Sequence, residues 1–397
     1  MRKAAFPLLL AALCAAPLCY AAAQQAEPGL PRYTWLDVAY PKLFYTLQDG
    51  LTAGAYFAVI SPLGFRDYDL PPAYRAAFSI SGQLSTSGSR ELVLESRLPQ
   101  LFPGWRLVGS FSVRRRAREN YFGIGNDAGY DSRNVTAGQE HYYRSLQVRW
   151  TARTEVQRRV AGGLRLLAGF HAERWRVDTL SGPSQLRIDA MAGADPAIGR
   201  WVSDVSVRAG AVFDTRDSET APHRGVLLEF IHAKATSALG SDLDYTRTTA
   251  SAAGYVPIGE LLVVAARVVG QRMGGSPVLG SYYLVEASDR PYEGVGGPAS
   301  HRALFEHRLL GRHKLFANLD VRYDLYAVPT LARLTLVGFL DAGRVFEGEE
   351  FRLTTEGMKV GGGGGVFFQF GRAGILGSTL GYGPDGFTLQ AHTRWTY

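Results

Sequence analysis

The last eleven residues, Phe387 to Tyr397, constrain this chain more than any other stretch. Tyr397, Trp395, Thr393, Ala391, Leu389 and Phe387 are apolar or small, and the residues between them, Thr396, Arg394, His392, Gln390 and Thr388, are polar. A period of two places the two sets on opposite faces of one strand. A soluble protein rarely ends on an exposed Trp-x-Tyr, because an unpaired apolar edge strand invites aggregation. In a closed barrel in lipid, the same strand has a partner on each side and its aromatics sit at the membrane interface. The pattern therefore predicts an all-β protein, a transmembrane antiparallel β-barrel of the bacterial outer membrane.

The other end agrees. Met1-Arg2-Lys3 is a basic start, residues 4–18 form an apolar run too short to span a bilayer, and Ala21-Ala22-Ala23 is a small-residue cleavage site. Residues 1–23 read as a Sec signal peptide. Cys14 and Cys19 each follow Leu, where a lipoprotein signal would have a smaller residue. Both lie in the segment expected to be removed, so the mature chain would use no disulfide, thiol or Cys-bound metal. The chain is 46% apolar and 12% aromatic with 46 glycines, yet its mean hydropathy is near zero, which alternation along strands produces and a continuous apolar core does not. Net charge is +7, nearly all of the basic residues being Arg. Arg144, Arg149 and Arg153 alternate with apolar residues, which predicts a positively charged barrel interior and not a nucleic-acid surface.

Residues 24–49 read as a short, Pro-punctuated periplasmic lead-in, and 50–397 as the barrel. Strands are expected at 50–61, 73–84, 89–98, 105–117, 141–154, 162–176, 201–214, 225–236, 244–256, 261–272, 312–326, 331–346, 359–370, 373–382 and 386–397. That is an odd number, whereas a single-chain bacterial barrel has an even one. The sixteenth strand is expected in 178–199 or in 32–45. Two connections are long, 118–140 and 273–311, and long connections in such barrels are normally extracellular.

Four segments carry a family resemblance: Tyr121-Phe122-Gly123-Ile124-Gly125-Asn126-Asp127; Phe213-Asp214-Thr215-Arg216-Asp217 with Pro222-His223-Arg224-Gly225; Gly296-Gly297 with Ser300-His301-Arg302-Ala303-Leu304-Phe305-Glu306-His307-Arg308; and Phe339-Leu340-Asp341-Ala342-Gly343-Arg344-Val345-Phe346. In this order the chain resembles the BamA/TamA-type outer-membrane assembly and secretion barrels, the bacterial surface antigen family. The resemblance implies a barrel of about sixteen strands whose long sixth extracellular loop folds into the lumen. It also implies that Arg302 of that loop pairs with Asp320 and Asp341 as a latch. Both aspartates are candidates for the inner face, Asp320 among Phe316, Leu319 and Val321, and Asp341 after Leu340. Two positions depart from the family pattern. Ala303 replaces a Gly, so a backbone needing positive φ would be strained there, and Leu304 stands where an aromatic is usual, with Phe305 next to it.

The segment with Asp214, Arg216, Asp217, Pro222 and Gly225 reads as a tight periplasmic turn, since Pro presets φ and Gly tolerates positive φ. Phe387, Trp395 and Tyr397 are expected to form the C-terminal insertion signal. The resemblance implies a role in outer-membrane protein insertion, polypeptide translocation or membrane remodelling at a weak seam between the first strand, near 50–61, and the last. Implied partners are outer-membrane lipid and lipopolysaccharide, the barrel-assembly machinery during insertion, and client polypeptides or a separate periplasmic protein. The stretch ahead of residue 50 leaves no room for the family's POTRA domains, so a barrel-only member is expected. No catalytic, cofactor or metal site is implied.

A passive channel or structural surface protein is the alternative. A third reading, a loop-borne hydrolase, draws on Ser300, His301, His307, His313 and Asp289, but no Gly-x-Ser-x-Gly or His-Glu-x-x-His accompanies them, and adjacent Ser and His side chains diverge on a strand. Gly361 to Gly365 resembles a phosphate loop only as a string, since it opens a strand and no Lys-Ser/Thr follows. Such glycines permit bending or close packing of a lumen plug. Asn134-Val135-Thr136 reads as a loop and nothing more.

Overall fold

The computed structural model describes residues 35–397 apart from 47, 65, 66, 68, 137, 329, 330 and 349, so the signal-peptide reading lies outside the described residues. Eighteen strands occur: β1 (Leu36–Thr46), β2 (Gly50–Ser61), β3 (Ala76–Ser85), β4 (Arg90–Phe102), β5 (Trp105–Asn120), β6 (Arg144–Ala161), β7 (Leu164–Thr179), β8 (Val202–Asp214), β9 (Gly225–Ala235), β10 (Tyr245–Ile258), β11 (Leu262–Gly275), β12 (Leu284–Val285), β13 (Tyr292–Glu293), β14 (His313–Val328), β15 (Ala332–Phe346), β16 (Lys359–Phe370), β17 (Gly374–Gly383) and β18 (Gly386–His392). Sixteen of them form one antiparallel sheet in sequence order, and β12 and β13 form a separate hairpin within the connection from β11 to β14. The sheet is a transmembrane β-barrel in which every strand neighbours its predecessor.

β14 shows why these residues make these strands. Leu319, Val321, Tyr323 and Leu325 are exposed on the outer face, while Asn318, Asp320, Arg322 and Asp324 are buried on the inner one. Residues of opposite polarity are thus sorted by the two-residue period, the apolar set toward lipid and the polar set toward the lumen. Long connections gather at one end of the barrel, at 121–143, 180–201, 276–312 and 347–358, while several at the other end are only two or three residues long. Apolar clusters stack along the interior. One lies beneath the long loops, around Trp175, Tyr245, Met273 and Leu279. A second lies at mid-height around Val295, Leu304, Phe316 and Val345, and a third around Val337, Phe367 and Trp395.

The sequence expectation is corrected in three places. The sixteenth strand is β1, in the second of the two stretches expected to hold it, and the barrel therefore begins inside the segment read as a lead-in. Pro41 and Lys42 interrupt its alternation, and Pro is tolerated because β1 stands at one end of the strand order. The stretch 178–199 holds not a strand but the short helix α1 (Gln185–Met191), capped by Ser184, whose side chain accepts from the Arg187 N–H. The last strand stops at His392, and the chain bends out of the sheet, so Trp395 is 8% exposed and faces the lumen instead of lipid. Its ring stacks on Phe367 with centroids 4.1 Å apart. Tyr397 also points inward and donates to the Ala265 carbonyl at 2.8 Å. Phe387 stays on the outer face, 71% exposed.

The face assignment predicts the effect of a charge on β14. Val321→Arg should destabilise the folded barrel by about 2–4 kcal/mol if residue 321 lies near the bilayer midplane, read as a shift in denaturant midpoint in vesicles. An unchanged midpoint would contradict the lipid-facing placement.

Candidate functional site

The connection 276–312 turns inward from the rim. It carries a single helical turn, α2 (Leu279–Tyr282), and then the β12–β13 hairpin. Isolated bridges between Val295 and Leu309 and between Gly297 and His301 then narrow it to a tight turn. Gly296 and Gly297 have φ of +118° and +92°, and a Cβ on Gly296 would stand 2.9 Å from the Arg308 nitrogen, so this turn requires glycine. The turn delivers His301, Arg302 and Ala303, all at 0% exposure, to the inner wall of the barrel.

Arg302 lies between the aspartates of two adjacent strands. Its Nε donates to Asp341 Oδ2 at 2.9 Å, and its Nη2 reaches Asp341 Oδ1 at 2.7 Å and Asp320 Oδ1 at 2.6 Å. The Arg302 backbone N–H donates to Asp341 Oδ2 at 2.7 Å. Asn318 donates to Asp341, and Arg322 holds the second oxygen of Asp320 at 2.9 Å. The guanidinium lies 4.1 Å from the Phe339 ring centroid. Burial opposes the charge on Arg302, but the two aspartates hold its pKa above the ordinary value. The arrangement is a charge-assisted fork in a dry setting, where it is stronger than at a surface. On the far side of the turn, Thr388 of β18 donates to the Arg302 carbonyl at 2.7 Å, and Gln390 donates to that of Leu304.

The glycines of β16 and β17 form the seat. A Cβ on Gly361 would come 2.5 Å from the Ala303 Cβ, and one on Gly381 would come 2.9 Å from the Ala303 Cα. The strain expected at Ala303 does not arise: among the described residues, the non-glycine positions with positive φ are Asp289 and His307. Leu304 fills the mid-height cluster, while Phe305 stacks on Phe122 at 6.0 Å. The Tyr121–Asp127 segment is thus a pad beneath the loop, where Arg308 also donates to the Ala128 carbonyl.

Sequence reasoning missed Glu286 and Glu293 of the loop and read Asp289 only as part of a hydrolase. Glu286 meets Arg153 at 2.8 Å and Arg208 at 2.5 Å, Asp289 pairs with Arg97, and Glu293 meets Arg114 at 2.7 Å and Arg116 at 3.1 Å. Each arginine projects inward from a strand. The available signal was the run of acids at 286, 289 and 293 in a chain whose strands carry excess arginine. Nearby, His307 donates through Nδ1 to Glu119 Oε1 at 2.8 Å, and although burial opposes its charge, Glu119 and then Glu293 push its pKa up to about 10.

The remaining residues fall at both ends of the barrel. Asp214 holds Arg216 through two bonds of 3.0 Å, and Asp217 Oδ1 accepts from the His223 N–H at 3.0 Å. Pro222 is buried in this ten-residue connection, and Gly225 closes it at φ +102°, where a Cβ would lie 2.7 Å from the Thr215 carbonyl carbon. The histidines suggested for a hydrolase are separated. Ser300 Oγ bonds the Gly296 backbone, His301 Nε2 donates to the Lys359 carbonyl at 3.0 Å, and His313 Nδ1 accepts from the Met273 N–H. Burial holds the His301 pKa below its usual value.

The Omp85 superfamily domain model matches residues 76–376. The fold is similar to that of BamA from Haemophilus ducreyi lacking POTRA domains 1–3, with a TM-score of 0.54 and 12% identity over 91% of this chain and 71% of that one. It is also similar to CdiB from Escherichia coli, with a TM-score of 0.57 and 13% identity over 91% of this chain and 62% of that one. No curated protein matches the sequence.

The seat can be tested by filling it. Gly381→Ala should cost about 1–3 kcal/mol through overpacking against Ala303, and limited proteolysis of the folded barrel should then cut within 276–312. Gly338→Ala, on the adjacent wall with nothing within 4 Å of the added atom, should leave the loop protected.

Proposed function

The chain belongs to the Omp85 superfamily and lies in the bacterial outer membrane, and from that premise we propose that it assists membrane-protein insertion or polypeptide translocation, with the sixth extracellular loop as its regulated plug. The observation that carries the proposal is the Arg302 fork. A fully buried arginine bound to Asp320 and Asp341 ties the loop to the wall, and the loop's own acids engage arginines around the rest of the lumen. A passive channel gains nothing from that arrangement, because water and ions must pass where the loop lies. An insertion or export device gains a closed resting state.

The second element of the proposal is the seam. β1 and β18 stand at the two ends of the strand order, and β18, with 7 residues, is the shortest of the sixteen sheet strands. Among the described residues β18 has seven ladder pairs, all with β17, and no ladder joins it to β1, so local separation there costs little, and the seam is where a client strand or lipid would be admitted. Thr388 and Gln390 link this strand to the loop, so the plug and the seam would respond to each other. Client polypeptides, lipopolysaccharide and the assembly machinery are the partners this reading calls for.

The test compares outer-membrane and secreted proteomes with and without the gene. Loss of one or a few barrels or exported proteins would support insertion or export, whereas an unchanged proteome would favour the channel or structural reading. In planar bilayers the wild-type barrel should show rare, brief openings. Arg302→Ala leaves two buried carboxylates without their main counter-ion, at a cost of about 3–5 kcal/mol, and its openings should become long-lived. A steady wild-type conductance would count against the plug.

A further inference from the structure

Glu293 of β13, with Glu306 and His307 of the same loop, places one imidazole nitrogen and two carboxylate oxygens within 4.8 Å of one another. A group of acids and one histidine is common on protein surfaces and proves nothing alone. Here the imidazole is distinctive. His307 is 1% exposed, and its Nε2 makes no hydrogen bond and lies 3.5 Å from Glu293 Oε2. The ring cannot swing away to find another partner. Tyr283 meets it edge-on at 5.2 Å, and the Gly294 backbone is close enough that an added Cβ would come within 3.1 Å of the imidazole.

The opposite ring nitrogen is already committed. Glu119, at the end of β5, accepts the Nδ1 proton at 2.8 Å. A carboxylate behind a histidine fixes the tautomer, points the other nitrogen outward and raises its basicity, as in metal sites where such a partner orients the ligand. Three carboxylates crowd the ring, Glu119, Glu293 and Glu306. Arg116 faces all three carboxylates, at 2.7 Å from Glu119, 3.1 Å from Glu293 and 3.9 Å from Glu306. Arg114 also holds Glu293 at 2.7 Å, so three carboxylates share two guanidiniums and the imidazole. Glu293 and Glu306 keep 40% and 38% of their side-chain surface open, and they line a lumenal cavity of about 600 Å³ that can supply water and admit an ion.

We propose that Glu293, Glu306 and His307 bind a divalent zinc-class cation, with Glu119 as the positioning residue behind the histidine and a water from the cavity completing the shell. One imidazole nitrogen with carboxylate oxygens is a borderline donor set that suits Zn²⁺ and its first-row neighbours better than Mg²⁺ or Ca²⁺, which seek oxygen alone. On binding, the Nε2 proton of His307 passes to solvent, the freed lone pair goes to the metal, Arg116 withdraws from Glu293 Oε2 while keeping Glu119, and Arg114 stays on Glu293 Oε1. The ion would staple two parts of the loop, 293 and 306–307, beside the end of β5. This assignment is independent of whether the barrel inserts proteins, exports them or conducts.

The experiment is calorimetric titration of Zn²⁺ into the tag-free, folded barrel in detergent after dialysis against a chelator. One ion per barrel is expected, with X-ray absorption showing a single imidazole and otherwise oxygen donors. Glu293→Gln and His307→Ala should each weaken binding at least tenfold, and Glu119→Gln should weaken it about 10–100-fold. Heat-modifiable migration on gels checks that each variant is a folded barrel. Should His307→Ala fail to fold, Glu293→Gln, on a half-exposed side chain, decides. No saturable Zn²⁺ binding by the wild-type barrel, binding that Glu293→Gln leaves unchanged, or equal affinity for Mg²⁺ would each overturn the assignment.

Discussion

The charge inside the barrel is the constraint to which the rest of the structure answers. Period-two alternation sends arginines from many strands into a space partly shut off from water, where an unpaired charge costs several kcal/mol. The strands supply some of the neutralising acids, such as Glu155 for Arg208 and Glu173 for Arg149. The loop supplies others: Glu286 faces arginines of β6 and β8, Asp289 one of β4, and Glu293 two of β5. The loop is thus a counter-ion as much as a stopper. Withdrawing it would expose wall charges that its acids now balance, so charge pairing holds it alongside the apolar packing of Val295, Leu304 and Leu309.

Arg302 reverses that pattern, since it is a base on the loop bound to acids on the wall. Only Arg fits the role. Its planar fork meets Asp341 through Nε and Nη2 and still reaches Asp320, while its face lies over Phe339. A lysine is a point charge that cannot make the bidentate contact and the stack together. Space is the second requirement. The turn lies almost backbone to backbone against β16 and β17, which is why Gly361 and Gly381 lack side chains. The glycine run that resembles a phosphate loop is explained at this end by steric need, and it contributes no donors to a ligand.

What the sequence showed follows from which features depend on local periodicity. β14 and β15 alternate cleanly, so Asp320 and Asp341 were legible as inward residues, and the family resemblance named Arg302 as their partner. The structure brings the three together. β1 was harder to read because Pro41 and Lys42 break its alternation, and the residues that make it a strand belong to β2, which pairs with it from Leu36↔Ile60 to Thr46↔Gly50. The inward bend after His392 was illegible for a related reason. Period two gives the face of a residue only while the strand continues, and Trp395 and Tyr397 lie beyond its end. Glu119 and His307 come together across 188 positions of sequence, and only the folded barrel sets that geometry and brings the loop's acids to the wall.

That bend ties the end of the chain to the loop. Arg322 bonds Asp320, the Arg302 partner, and also the Tyr397 carbonyl at 3.3 Å, and its guanidinium lies 4.2 Å from the Trp395 ring centroid. Arg267 holds the Thr396 carbonyl at 3.1 Å and the Ala299 carbonyl of the loop at 2.9 Å, with Asn318 as a further partner. A continuous buried network therefore runs from the last residues of the chain, through two wall arginines, to the fork at Arg302. Members of such networks polarise and position one another, so removing one weakens the rest. Lifting the tail would strip partners from Arg267 and Arg322, which would then compete for the carboxylates and carbonyls that hold the loop. The last strand and the plug share one set of counter-charges, and on that ground the release of either should lower the cost of releasing the other.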